Sequence, residues 1–271
     1  MTGAPAVPRP SGIGGPAHTF FGATMAGLGV LGLIQGHFTP TWAGVPAGVP
    51  ARSAIAYLTA AISILTGLGL LWRRTAPLAA RVLLGAFLLW LLAFRLPVAL
   101  GALTDSGAWW AVGDTAAMSG AAWVLFVWFA GAEGRERPRF ATGDGGLRIA
   151  RTLFGLGLIP IGAAHFTFFA RTVSMVPAWL PWHPAWAVFT GAAFIAAGLG
   201  VVTGVYGRLA ATLSAVEMGL FILLVWVPTD VMGRPTATDW TETVGSWVLM
   251  AAAWMVAASY GGTRWLAVGR R

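Results

Sequence analysis

Residues 78–98 read LAARVLLGAFLLWLLAFRLPV, and residues 209–229 read LAATLSAVEMGLFILLVWVPT. Each run is long enough to cross a ~30 Å hydrocarbon core as a helix. Neither alternates polar and apolar residues with period two, which argues against a transmembrane β-barrel. Comparable runs recur along the chain, and eight spans are predicted near 20–38, 54–72, 78–98, 109–130, 150–170, 185–204, 208–228 and 241–260. Composition agrees. Of 271 residues, 57% are hydrophobic and 10% charged, with mean hydropathy +0.75, too little charge to cover a soluble surface of this size. Fifteen Trp suit a chain with two headgroup interfaces. The expected fold is all-α, a polytopic membrane protein of eight transmembrane helices.

The two quoted runs are also copies. A shift of 131 residues aligns Leu78-Ala-Ala80 with Leu209-Ala-Ala211, Pro97 with Pro228, Pro50 with Pro181 and Gly67-Leu-Gly69 with Gly198-Leu-Gly200. It also aligns Trp109 with Trp240 and Ala121-Ala-Trp123 with Ala252-Ala-Trp254. Nearer the N-terminus a shift of 128 aligns Gly27-Leu-Gly29 with Gly155-Leu-Gly157 and His37-Phe-Thr39 with His165-Phe-Thr167. The only long hydrophilic stretch, Gly131 to Arg139 followed by glycines to Gly146, divides the copies. The expected organisation is a disordered tail (1–18), a four-helix repeat (19–131), a cytoplasmic linker (132–147), a second four-helix repeat (148–262) and a basic tail (263–271). Four spans is an even number, so both copies enter from one side as parallel repeats. The segment after Arg9 has a counterpart later in the chain, so it reads as a span and not a cleaved leader.

With the N-terminus inside, thirteen of the 17 basic residues fall on the inner side; Arg52, Arg95, Arg171 and Arg234 fall outside. This bias predicts an inner (plasma) membrane protein with both termini cytoplasmic. All the basic residues are Arg, scattered between apolar runs with no continuous basic face, so the net charge of +8 does not imply nucleic acid. The chain has no Cys, which removes disulfides and thiol chemistry.

Several residues invite a chemical reading. Gly27-x-Gly-x-x-Gly32 matches a dinucleotide fingerprint but lies inside a span, where close helix packing explains it better. His37 and His165 end the first span of each copy on the outer side. Three readings apply to them: helix-end anchors, polar contacts to a lipophilic ligand such as a quinone, or axial haem ligands, the last disfavoured. Glu217 lies near mid-depth, where a carboxylate is costly unless paired, neutralised or facing a polar cavity. Its counterpart is Ala86, so the shared scaffold does not need it. It is either a structural hydrogen-bonding group or a proton- or ligand-handling one. Arg95 and Asp114 are expected to pair at the outer ends of the third and fourth spans. Trp179, Trp182, His183 and Trp186 form an outer interfacial cluster, and Asp239-x-x-Glu242 resembles a capping box. No metal-ligand spacing or catalytic triad stands out.

The second copy resembles the DoxX-like membrane proteins. The resemblance runs through Arg151, Gly155, Gly162, His165-Phe166, Val176-Pro-Ala-Trp-Leu-Pro181, Gly191, Gly198-Leu-Gly200, Arg208-Leu-Ala-Ala211 and Pro228. The first copy keeps His37-Phe38, Pro50, Gly67-Leu-Gly69 and Leu78-Ala-Ala80 but lacks the Trp-Leu-Pro loop. Many relatives carry Glu within the second helix, where this chain has Ser63 and Phe194. The resemblance implies a four-helix unit, here fused in tandem, and for some relatives a subunit role in a membrane thiosulfate:quinone oxidoreductase. The leading expectation is therefore an accessory or scaffold subunit of a membrane redox complex, binding quinone or another lipophilic molecule between the copies, near His37 and His165. A small-solute or proton-coupled transporter using Glu217 is the alternative. A membrane enzyme acting on a lipophilic substrate, with Glu217 beside Arg95 or Asp114, is a third.

Overall fold

The computed structural model describes residues 15–130, 141–233 and 236–269. Most of the expected N-terminal tail, the Gly131–Arg139 connector and the last two residues lie outside the described residues. The described chain is all-α, with no strand. Its helices are α1 (Gly15–Gln35), α2 (Arg52–Leu70), α3 (Ala76–Gly101), α4 (Ser106–Ala130), α5 (Gly143–Thr167), α6 (Phe169–Met175), α7 (His183–Thr203), α8 (Gly207–Val231) and α9 (Ala237–Ala258). All but α6 and α9 are long and apolar enough to cross a membrane, seven spans where eight were expected. Helix α9 has 22 residues, but Asp239, Thr241, Glu242 and Thr243 crowd its first two turns and dilute its apolarity. The protein is a polytopic helical membrane protein.

Two boundaries differ from expectation. Helix α1 starts at Gly15, so Pro16, Ala17 and His18 are helix and not tail; Pro at the first turn loses no helical hydrogen bond. Helix α5 starts at Gly143, inside the expected linker. The cap of α9 also begins earlier than read. Thr236 is the N-cap and Asp239, not Glu242, is its reciprocal partner. The Thr236 backbone N–H and hydroxyl donate to the Asp239 carboxylate and hold it below the usual carboxylate range.

Local features recur at the spacings seen in the sequence. Ala51 (φ 55°) and Trp182 (φ 57°) are both left-handed N-caps, each after a proline. Leu91–Arg95 and Ile222–Trp226 are both π turns inside a long helix. Pro97 and Pro228 follow them, and a proline ring clashes with the carbonyl four residues back, widening the preceding turn. At the end of each π turn a buried side chain donates across to the next long helix. Arg95 Nε reaches Thr115 Oγ1 at 3.3 Å and Trp226 Nε1 reaches Ser246 Oγ at 2.9 Å.

The helices form two rings that share the α4–α9 wall. One ring runs α1, α2, α3, α4, α9; the other runs α4, α5, α7, α8, α9. Small residues set the crossings. A Cβ on Gly29 would meet Ala60 O at 2.5 Å, and one on Gly113 would meet Gly157 O at 2.5 Å. Likewise Gly198 faces Gly155 O at 2.6 Å, and Gly162 faces Gly191 O at 2.6 Å. In lipid, association gains little from hydrophobicity, so such backbone approach and its dispersion energy hold the helices together. Gly29 and Gly32 of the apparent dinucleotide motif both face α2, which confirms the packing reading.

Candidate functional site

The rings are filled differently at the end opposite Arg73 and Arg74. In the first, the chain after α1 turns inward and buries Trp42 (1% exposed). Its indole stacks on Phe87 at 4.8 Å, meets Trp90 edge-on at 5.2 Å and donates to Ser63 Oγ at 2.8 Å. Ser63 leaves room for that indole; at the equivalent place in the second ring, Phe194 fills the interior with its own fully buried ring. The second ring therefore needs no inserted side chain. Its 172–182 segment stays at the surface, with Trp179 69% and Trp182 79% exposed.

Beneath that segment lies a cavity of about 510 Å³ between α7 and α8, lined only by residues 172–226. Trp179, Trp186, Phe189, Leu220 and Phe221 form much of its wall; the ionisable group is Glu217, and Thr172 and Thr190 add hydroxyls. Several wall residues (Phe189, Leu213, Val216, Leu220) are exposed on the helix flanks, so the cavity opens sideways toward lipid. Glu217 is ten residues into α8, roughly 15 Å along the axis and so near mid-depth. Its Oε1 is buried and has no hydrogen-bond partner among the described residues. Thr190, also in the wall, donates its hydroxyl to the Trp186 carbonyl at 3.0 Å.

The two histidines do not share a site. The His165 ring packs on Phe194 (5.4 Å) and Phe221 (6.2 Å), behind the cavity wall, with Nδ1 3.1 Å from the Ile161 carbonyl. His37 is exposed, its Nδ1 3.1 Å from the Phe38 carbonyl, and it does not line the cavity. Haem ligation by this pair has no geometric basis, and the pocket lies within the second half, not between the halves. Trp179 lines it, whereas Trp182 only caps α7. Among the described residues, no group of three or more His, Cys, Asp or Glu is arranged to hold a metal.

Arg95 is an anchor. It is 8% exposed, and besides Thr115 it donates to the Pro40 carbonyl at 3.0 Å, with its Nη1 against Gly44. It thereby holds the 39–44 segment that inserts Trp42. The expected Arg95–Asp114 contact pair is not formed among the described residues; the two interact only at longer range, and Asp114 lies beside Trp110 and within electrostatic range of Glu242. Arg171 pairs with Glu242 at 3.1 Å instead. Among the described residues, no hydrogen bond or ion pair joins Glu217 to Arg95 or Asp114.

Sequence reasoning missed Trp42 and His18. The signal for Trp42 was Ser63, a small polar residue in an Ile/Leu run that needs a partner. His18 is fully buried, edge-on to Phe129 at 5.3 Å, with neither ring nitrogen hydrogen-bonded among the described residues. Pro16 at a helix start was its signal. No family model, no curated protein and no solved structure matches the chain.

Proposed function

We propose that the chain is a DoxX-like duplicated four-helix membrane protein that holds a lipophilic molecule in the α7–α8 cavity, as an accessory subunit and not an enzyme. One observation carries the ligand reading. Glu217 lines a cavity that is otherwise almost wholly apolar and open to the bilayer, and one of its carboxyl oxygens is buried without a partner among the described residues. An unmet buried polar atom is costly, and a ligand group that meets it removes the cost. The occupant is then an apolar body with one hydrogen-bonding head, entering from lipid, and a cavity of this size lies in the range of small-molecule sites. A prenylquinone has that chemistry. The duplication is supported by the equal spacing of left-handed caps, π turns and cross-helix donors in the two halves. It entails eight spans, with α9 as the eighth, and the arginine bias supports cytoplasmic termini in an inner-membrane protein.

A transporter is less well supported, because the walls offer few polar groups for a solute path. The test is purification in mild detergent, followed by an absorption spectrum and mass spectrometry of extracted small molecules. A prenylquinone or similar lipid retained by the wild type and lost from Glu217→Gln and Glu217→Met supports the reading. An empty wild-type protein, or equal retention by both variants, refutes it.

A further inference from the structure

We infer that the arginine-rich end of the second half is a binding site for a phosphate group. A cavity of about 750 Å³ opens there between the first turns of α5, the end of α7 and the 259–269 segment. Arg148, Arg151 and Arg264 line it, against one acid, Asp144. A positive-inside bias calls for charge on this face, but it does not call for three guanidinium groups around one cavity.

The groups are arranged for use. Arg151 lies eight residues into α5, at the inner end of the span predicted near 150–170. Its Nε donates to Ser259 Oγ at 3.0 Å, its Nη2 contacts the Ser259 carbonyl, and the Tyr260 ring lies 3.9 Å beneath it. This clamp fixes the plane of the guanidinium while Nη1 has no protein partner among the described residues. Arg148 and Arg264 are exposed and make no ion pair or hydrogen bond among the described residues. The 259–269 segment is itself held in place. Tyr206 N–H donates to the Ala267 carbonyl at 2.8 Å, and Arg208 donates to the Thr263 carbonyl at 2.8 Å while stacking on Trp265. In the first half the positions of Arg148 and Arg151 are Phe20 and Ala23, so the scaffold does not require these charges. Planar guanidinium forks suit phosphate oxygens, which they can grip with paired donors. The phosphate belongs either to an anionic lipid headgroup or to a soluble phosphorylated molecule.

Native mass spectrometry of the full chain, released from neutral detergent, tests the site. Phosphatidylglycerol, phosphatidylcholine and inorganic phosphate are the probes. Wild-type protein should retain phosphatidylglycerol over phosphatidylcholine. The R148Q/R264Q double variant should weaken that retention roughly five-fold for each guanidinium removed. D144N, which takes away the opposing charge, should strengthen it, an outcome that misfolding cannot mimic. Displacement of the lipid by millimolar phosphate assigns the site to a soluble ligand; resistance assigns it to the lipid. Equal retention of both lipids with no phosphate adduct overturns the inference, as does binding unchanged in both variants.

Discussion

Replacing Glu217 with Met should make the protein more stable and leave it unable to hold its ligand. Met matches Glu in length and flexibility, so the swap changes polarity with little change in shape. In the wild type, Oε1 is buried without a partner among the described residues, and such an atom costs about 1–3 kcal/mol. The walls that Met would touch, among them Leu213, Leu220, Phe221 and Leu224, are apolar, so removing the carboxyl recovers that cost. For a chain of this length the gain corresponds to a rise of roughly 2–4 °C in Tm per kcal/mol. The assay is thermal unfolding of delipidated wild type, Glu217→Met and Glu217→Gln in the same micelle, alongside ligand retention. Gln keeps a polar head in the same place and should gain little. A Glu217→Met protein that melts at or below the wild-type temperature would refute the reasoning, because Glu217 would then have a structural partner. The opposite movement of stability and binding is the signature of a group kept for function at a cost in folding.

Trp42→Ala should destabilise by about 3–5 kcal/mol, read by denaturant unfolding, because it empties the stack against Phe87 and Trp90 and strands the Ser63 hydroxyl. Gly198→Leu, whose Cβ alone would lie 2.6 Å from the Gly155 carbonyl, should force α5 and α7 apart and lower Tm, whereas Gly27→Ala, with open space around it, should not. Ala51→Gly should raise stability by about 1 kcal/mol by relieving a left-handed alanine. The Asp239 carboxylate is held below its ordinary range, so its cap stabilises α9 above the unfolded-state pKa and fails as pH falls through the lower folded value. Amide exchange over the first turn of α9 should quicken across that acidic window in wild type, and Asp239→Asn should lack the transition.

Sequence reasoning reached the helices because apolar runs near 20 residues in length can do little else in lipid. It reached the spacing between halves because prolines and glycines mark the places where backbone geometry is unusual. Pro97 and Pro228 each follow a π turn by two residues, and Pro50 and Pro181 each precede a left-handed cap. Glu217 stood out for a similar reason, as a charge where charge is expensive. What the sequence hid was which side chains share a space. His37 and His165 occupy matching positions at the 128-residue spacing, yet one ring is exposed and the other lies behind Phe194 and Phe221. Their surroundings differ because the loops after them differ, and a loop's path depends on contacts from other helices. Arg95 shows the same limit. It was paired by depth with Asp114, but its donors go to Thr115 and to the Pro40 carbonyl, a backbone group that no side-chain pattern displays.

The difference between the halves argues for where function resides. In the first, polar contacts hold the inserted segment: Trp42 donates to Ser63, Trp90 to the Ala43 carbonyl and Arg95 to the Pro40 carbonyl, while the Thr39 hydroxyl is buried without a partner among the described residues. Those contacts all tighten one loop onto one bundle, and their result is a filled interior. The corresponding region of the second half forgoes that closure. Its Trp179 lies at the rim, Phe194 fills the space that Trp42 takes in the other ring, and Glu217 stands in place of Ala86, one oxygen buried without a partner among the described residues. If both halves descend from one unit, packing alone gives no reason for the second to keep an open cavity with a carboxyl in its wall, since the first shows how the same scaffold closes. Moving the closure across is therefore a direct trial. A second-half chimera with residues 168–182 replaced by 38–51, together with Phe194→Ser and Glu217→Ala, should fold, resist unfolding better than the wild type and retain no ligand. Retention of the ligand by that chimera would place the binding site outside the α7–α8 cavity.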